Sequence, residues 1–158
     1  MNLANINSVL RTRALADTGT GGLFNATTPL INAWNWNAVP VGTSYPYVIQ
    51  SVASSASQNA QQLDVIECRY RFGIWHERIS QSDTDPLLKL SQIEARIYGD
   101  WSKTTPTTPP TYGFHRFTPT FTGFTCVAGG MEYVNAFDES DGDLLHLVLE
   151  FRFWVNGT

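Results

Sequence analysis

Charge is the scarcest commodity in this chain: only 15% of its 158 residues are Asp, Glu, Lys or Arg, and the net charge is −4. No stretch resembles the basic stripe that phosphate neutralisation requires, which argues against sequence-unspecific gripping of nucleic acid. Cysteine is nearly absent too. Cys68 and Cys126 are the only two, and Cys68 sits among alternating apolar residues, where a thiol packs as a small hydrophobe. The expectation is two buried free thiols, with a disulfide as the lesser alternative. No apolar run approaches the length of a membrane span. Residues 1–6 (Met-Asn-Leu-Ala-Asn-Ile) lack a basic region followed by an apolar core, so no signal peptide is expected and a soluble cytosolic product fits.

Catalytic signatures are missing as well. There is no Gly-x-Ser-x-Gly elbow and no Cys/His pair at nucleophile spacing. Gly19-Thr20-Gly21-Gly22 follows a helical pattern, not a strand, and no Gly-Lys-Ser/Thr closes it. His76, His115 and His146 lie on three separate segments without a second His or Cys at ligand spacing. The acidic group Asp138, Glu139, Asp141 and Asp143 has its glycine in the wrong place for a calcium loop, and the twelfth position from Asp138 is Leu149. No catalytic residue, metal or cofactor is therefore assigned.

What the chain does have is alternation. From Leu144 to Val155 every odd position is apolar (Leu145, Leu147, Leu149, Phe151, Phe153, Val155). That pattern puts one hydrophobic face on an antiparallel strand and predicts that this last strand runs inside the core. Ile66, Cys68, Tyr70, Phe72 and Ile74 repeat it between Leu63 and Trp75, with Glu67, Arg69 and Arg71 on the other parity. Set side by side, the two strands would bring Glu67, Arg69 and Arg71 to Glu150 and Arg152, a charge ladder of a few tenths of a kcal/mol per pair.

Around these strands, Ile6, Val9, Leu10 and Leu15 mark a short amphipathic helix that ends before Gly19. Asp85-Pro86 caps a second, on which Leu90, Ile93, Ile97 and Trp101 recur at helical spacing. Tyr45 to Val52 predicts a strand that starts at a proline, and Ala53 to Gln62, rich in Ser, Ala, Gln and Asn, predicts a mobile hairpin loop. Gly113 to Phe121 and Met131 to Phe137 predict two more strands. Asp141-Gly142 supplies the tight turn into the last one. Residues 25–44 and 102–111 are expected as loop excursions, the first aromatic and partly packed, the second a Thr/Pro run. The sum is one α+β domain over 1–158: a mostly antiparallel sheet of about five strands, with two helices packed on one face.

Aromatics make up 13% of the chain, which suits a core and also a subunit contact. Trp34, Trp36, Arg69, Arg71, Trp75, Glu150, Arg152 and Trp154 form the candidate subunit interface, since Arg and Trp are favoured anchors there.

The order of these pieces resembles the tail-terminator (tail-completion) family of long-tailed bacteriophages. The likeness is carried by the N-terminal helix, Ser44-Tyr45-Pro46-Tyr47-Val48-Ile49, Arg69-Tyr70-Arg71-Phe72-Gly73-Ile74-Trp75, the helix after it, and the closing Asp141-Gly142-Asp143-Leu144 through Trp154. The resemblance implies a virion protein, made in the host cytoplasm, that forms a homohexameric ring on the head-proximal end of the tail tube. Its partners would be the tail-tube protein and the head connector or stopper protein, with genomic DNA passing through the pore unbound and no membrane involved. Either the Asp138 to Asp143 turn, with Asp138, Glu139 and Asp141, or the Ala53 to Gln62 loop is expected to approach that pore. Two alternatives stay open: a head-completion or stopper protein of the same neck, and a small-molecule-binding or enzymatic α+β cone with a pocket lined by Tyr70, Trp75 and His146.

Overall fold

The computed structural model describes residues 2–60, 63–78, 85–100 and 110–157. Helix α1 (Leu3–Leu15) begins where the Asn2 side chain accepts the N–H groups of Ala4 and Asn5, and it buries Ile6, Leu10 and Ala14 at four-residue spacing. Helix α2 (Pro86–Tyr98) begins where Asp85 accepts from Leu87 and Leu88 with Pro86 in the first turn, and it buries Leu90, Ile93 and Ile97. It stops at Gly99 (φ 128°), whose backbone crosses that of Gly113 so closely that a Cβ on Gly113 would meet the Gly99 Cα at 2.1 Å. Trp101 and residues 102–109 of the Thr/Pro run lie outside the described residues.

The strands are β1 (Ala33–Trp36), β2 (Tyr47–Ala60), β3 (Leu63–Glu77), β4 (Phe124–Cys126), β5 (Glu132–Asp138) and β6 (Leu144–Gly157). They form one sheet in the order β1-β2-β3-β6-β4, and β5 shares the outer side of β6 with β4. All pairings are antiparallel except β1 with β2. The fold is thus α+β and mostly antiparallel, with six strands instead of five. Even positions of β3 face odd positions of β6: Cys68 with Phe153, Tyr70 with Phe151, Phe72 with Leu149, Ile74 with Leu147. These residues, with Trp34 and Val48 and the buried faces of both helices, make one hydrophobic cluster. Cys68 and Cys126 lie within it as free thiols.

Three expectations are corrected. The segment from Ala53 to Ala60 is no loop: it continues β2, pairing Ser54 with Arg69 through Ala60 with Leu63 after a register shift at Val52/Ser54. Main-chain pairing needs no apolar side chains, so its polar composition was a poor guide. The aromatic excursion holds β1, whose Ala33 to Trp36 lie parallel to Tyr47 to Gln50. Gly113 to Phe121 makes only an isolated bridge, Thr120 with Thr125. Phe114 and Phe121 are nonetheless buried, the first held by its N–H donating to the Ile97 carbonyl at 3.0 Å at the end of α2.

Candidate interaction surface

The face of the sheet turned away from the helices carries the charges. Register sets Arg69 opposite Arg152, Arg71 opposite Glu150 and Trp75 opposite His146. Glu150 lies between two guanidinium groups: Arg69 Nη1 donates to one carboxylate oxygen at 3.3 Å and Arg71 Nε to the other at 2.9 Å. Arg69 Nε also donates to Glu67 at 2.6 Å, a bond that raises the arginine's pKa. Arg152 turns to the other side of β6 and donates to Glu132 at 3.0 Å. Three arginines thus meet three glutamates, and the ladder neutralises itself. Apolar rings border it, with the Arg71 guanidinium 5.6 Å from the Phe137 ring and that of Arg152 5.0 Å from Trp154.

Glu132 was not foreseen, and the reason is a bulge. The turn at Asp141–Leu144 sets Phe137 against Val148 and Asn135 against Glu150, which extrapolates to Glu132 opposite Phe153 on the core parity. One extra residue near Val134 shifts the register, so Glu132 pairs instead with Arg152. Nothing in the sequence marks that insertion.

Two of the proposed interface residues stand elsewhere. Trp34 is buried in the core, its indole N–H donating to Gln50 Oε1 at 2.9 Å, and offers no surface to a neighbour. Trp36 is half-buried on the same side, its ring 6.4 Å from that of Tyr70. Glu150 is 5% exposed, so it reaches a neighbour only through its arginines. Trp75 and Trp154 do not meet, being opposite His146 and Glu67 respectively, eight residues or about 27 Å apart along the strand pair.

At the Trp75 end, the indole stacks on His146 at 3.7 Å and 14°. Gly73 makes room, because a Cβ there would come within 2.8 Å of His146 Nε2. Burial lowers the His146 pKa against the opposing pull of Glu139 and Asp138. The adjoining turn is stitched by Ser140, whose N–H donates to Asp138 (2.9 Å) and whose hydroxyl accepts from the His146 N–H (3.0 Å). Hydrogen bonding from the Ser140 side chain and from its backbone N–H holds the Asp138 carboxyl below the usual range. Asp138, Glu139 and Asp141 are all exposed there, a small acidic prow at one end of the charged face.

A pocket made of Tyr70, Trp75 and His146 does not exist: Tyr70 is buried on the helix side of β3, whereas Trp75 and His146 stack on the opposite face. The Cys68 and Cys126 thiols are both pushed up to about 11 by burial, which keeps them protonated and poor nucleophiles. Among the described residues no three His, Cys, Asp or Glu side chains gather as a metal ion would need. No described helix is long and apolar enough to cross a membrane.

What the chain defines, then, is an α+β fold with one sheet face packed beneath two helices and one self-neutral charged face left open. That fold matches a chain described as "Virion of native gene transfer agent (GTA) particle" with a TM-score of 0.58, over 98% of this chain and 97% of that one, at 11% identity. A second solved structure matches with a TM-score of 0.51 over 100% of this chain and 97% of its own, at 10% identity. At such identities the likeness is one of fold. No protein-family model matches the chain, and no curated protein matches it in sequence.

Proposed function

We propose that this protein is a structural subunit of a phage-like virion, and within it the ring that caps the head-proximal end of the tail tube. The observation that carries the reading is the end-to-end fold likeness to a chain of a gene transfer agent virion. It joins the sequence resemblance to tail terminators and an open sheet face whose charges are already paired. A face of this kind loses little when a neighbour covers it, because each charge keeps its partner as water leaves.

The mechanism is capping by geometry. A closed ring, hexameric on this reading, matches the tube's subunit interface on one side and presents to the head connector a surface to which no further tube subunit can add. The acidic prow of Asp138, Glu139 and Asp141 faces the pore, where like charge keeps passing DNA from sticking.

The test is negative-stain electron microscopy of the purified protein, alone and with the tail-tube protein. Six-fold rings with an open pore, or caps at tube ends, are the expected result. Compact particles that ignore the tube would reject the cap and favour a head-completion or stopper position. In the assembled phage, replacing Asp138, Glu139 and Asp141 together by Lys is expected to retard DNA ejection while leaving rings intact; unchanged ejection would remove the prow from the pore.

A further inference from the structure

One half-buried cation lacks a counter-charge. Arg13, in the last turn of α1, donates from Nε to the Gly113 carbonyl at 3.1 Å and from Nη2 to the Pro110 carbonyl at 2.9 Å, and its guanidinium lies 4.5 Å from the centre of the Phe117 ring. Carbonyls and a ring occupy its donors and cover its face without cancelling its charge. No Asp or Glu among the described residues forms an ion pair with it. The end of α1 does not claim the charge either, because the Thr12, Ala14 and Ala16 carbonyls accept from the N–H groups of Ala16, Asp17 and Thr18. Burial lowers the pKa of Arg13 against the pull of Asp17. Charges taken out of water are as a rule paired, and this one is not.

Arg13 lines a cavity of about 250 Å³ where the end of α1, the glycine-rich turn after it, α2 and Tyr112 come together. Arg96 lines it as well, its guanidinium 3.4 Å from the centre of the Tyr112 ring. Asp17 is the one acid among the described lining residues, and its carboxylate is fully engaged. Arg96 donates to it twice, from Nε at 2.8 Å and from Nη2 at 2.6 Å, and the Leu23 N–H donates at 3.0 Å. Two guanidinium groups against one carboxylate leave the cavity a positive charge in excess. Arg13 Nη1 donates to no described residue.

The Gly19-Thr20-Gly21-Gly22 run reaches the same cavity through Gly19. The Gly19 carbonyl closes the turn, accepting from the Gly22 N–H and from Asn25 Nδ2, both at 2.9 Å. The N–H groups of Gly19, Thr20 and Gly21 donate to no described residue, and the space beside the Gly19 and Gly21 Cα atoms is open. Unpaired backbone N–H groups on a glycine turn are donors that an anion can use. The run lacks the strand and the lysine of a nucleotide-binding loop, yet it sets donors beside a surplus cation.

We infer that this cavity binds a small oxyanion, a carboxylate or phosphate group, between the Arg13 guanidinium and the amides of Gly19 to Gly21. The anion supplies the counter-charge that the chain itself withholds from Arg13. Asp17, already paired with Arg96, holds the excess to a single charge, which suits one oxyanion group and not a polyphosphate chain. The site holds or fails independently of the ring reading.

Proton–nitrogen correlation NMR of the whole chain, titrated with inorganic phosphate or with acetate at constant ionic strength, tests it. Saturable shifts of the Gly19, Thr20 and Gly21 amides and of the Arg13 Nε–H, with a Kd of about 1–10 mM, are the expected result. The tighter of the two ions names the ligand class. Arg13→Gln should weaken binding about tenfold or more, whereas Arg13→Lys, which keeps the charge, should retain most of it. Because Arg13 also holds the Pro110 and Gly113 carbonyls, a second variant leaves it in place: Ala16→Glu, at an exposed position in the cavity wall. A carboxylate at a helix C-terminus ordinarily lowers stability. Here it should supply the missing anion, raise the Tm in anion-poor buffer and abolish the response to phosphate and acetate. Shifts that only grow linearly up to about 100 mM, alike in wild type and Arg13→Gln, would mean an adventitious ion only and overturn the site. An Ala16→Glu protein with a lowered Tm and an undiminished anion response would overturn it too.

Discussion

The same two strands, β3 and β6, present two unlike faces. On the helix side, Phe72 lies 4.6 Å from Phe114, 5.4 Å from Phe151 and 5.0 Å from Trp34, and Tyr70 stacks on Phe153 at 5.8 Å. On the other side the same span carries Glu67, Arg69, Glu150 and Arg71 in one chain of ion pairs, with Arg152 paired separately to Glu132 of β5. Alternation makes this possible, since neighbours in sequence point to opposite faces. The aromatic face cannot be left in water and so becomes the core. The charged face tolerates water, because its carboxylates and guanidinium groups are paired with one another.

The sharpest way to break this contrast is to cut one large residue from each face. Phe151→Ala removes a ring with no exposed surface and should cost about 3–5 kcal/mol in a denaturant titration. A loss below about 1 kcal/mol would mean that the two faces differ less than their packing says. Glu150→Gln, the next largest, strips the charge from the group that both arginines share. Because Arg69 and Arg71 are a third to a half exposed, water takes over much of what the carboxylate did. The expected loss is about 1–2 kcal/mol, well short of a buried pair broken in the core. A cost equal to that of Phe151→Ala would make the ladder a part of the fold and not a surface awaiting a neighbour.

How much of this was legible depended on whether side chains or main chain held an element. The parity of β3 and β6, and through it the meeting of Arg69 and Arg71 with Glu150, followed from alternation alone. The Asp85 cap likewise announced its helix. β1 was hidden because four residues show no period, and its place is set by parallel pairing to Tyr47–Gln50. The outer part of β2 was hidden for the opposite reason: Ser, Ala, Gln and Asn carry no strand signal, yet they extend a ladder that β3 already templates. Trp34 had the composition of an interface anchor but the position of a core residue. Only the pairing of Trp34 with Val48 reveals that it falls on the helix side. Glu132 needed a bulge that no local pattern records.

The smallest effect, and the one of opposite sign, belongs to Tyr70. Its ring is fully buried between Phe153 and Trp36, and among the described residues no protein group hydrogen-bonds its hydroxyl. Burial pushes its pKa up, so the group stays neutral. A buried hydroxyl without a partner carries a desolvation cost that nothing repays. Tyr70→Phe keeps the ring and deletes that cost, so stability should stay level or rise by up to about 1 kcal/mol. Every other truncation on the helix side should lower it. If Tyr70→Phe destabilises by more than about 1 kcal/mol, the hydroxyl is bonded in solution. The helix face would then hold a further polar contact beside that of the Trp34 indole with Gln50, and the contrast between aromatic packing on one face and paired charges on the other would be weaker.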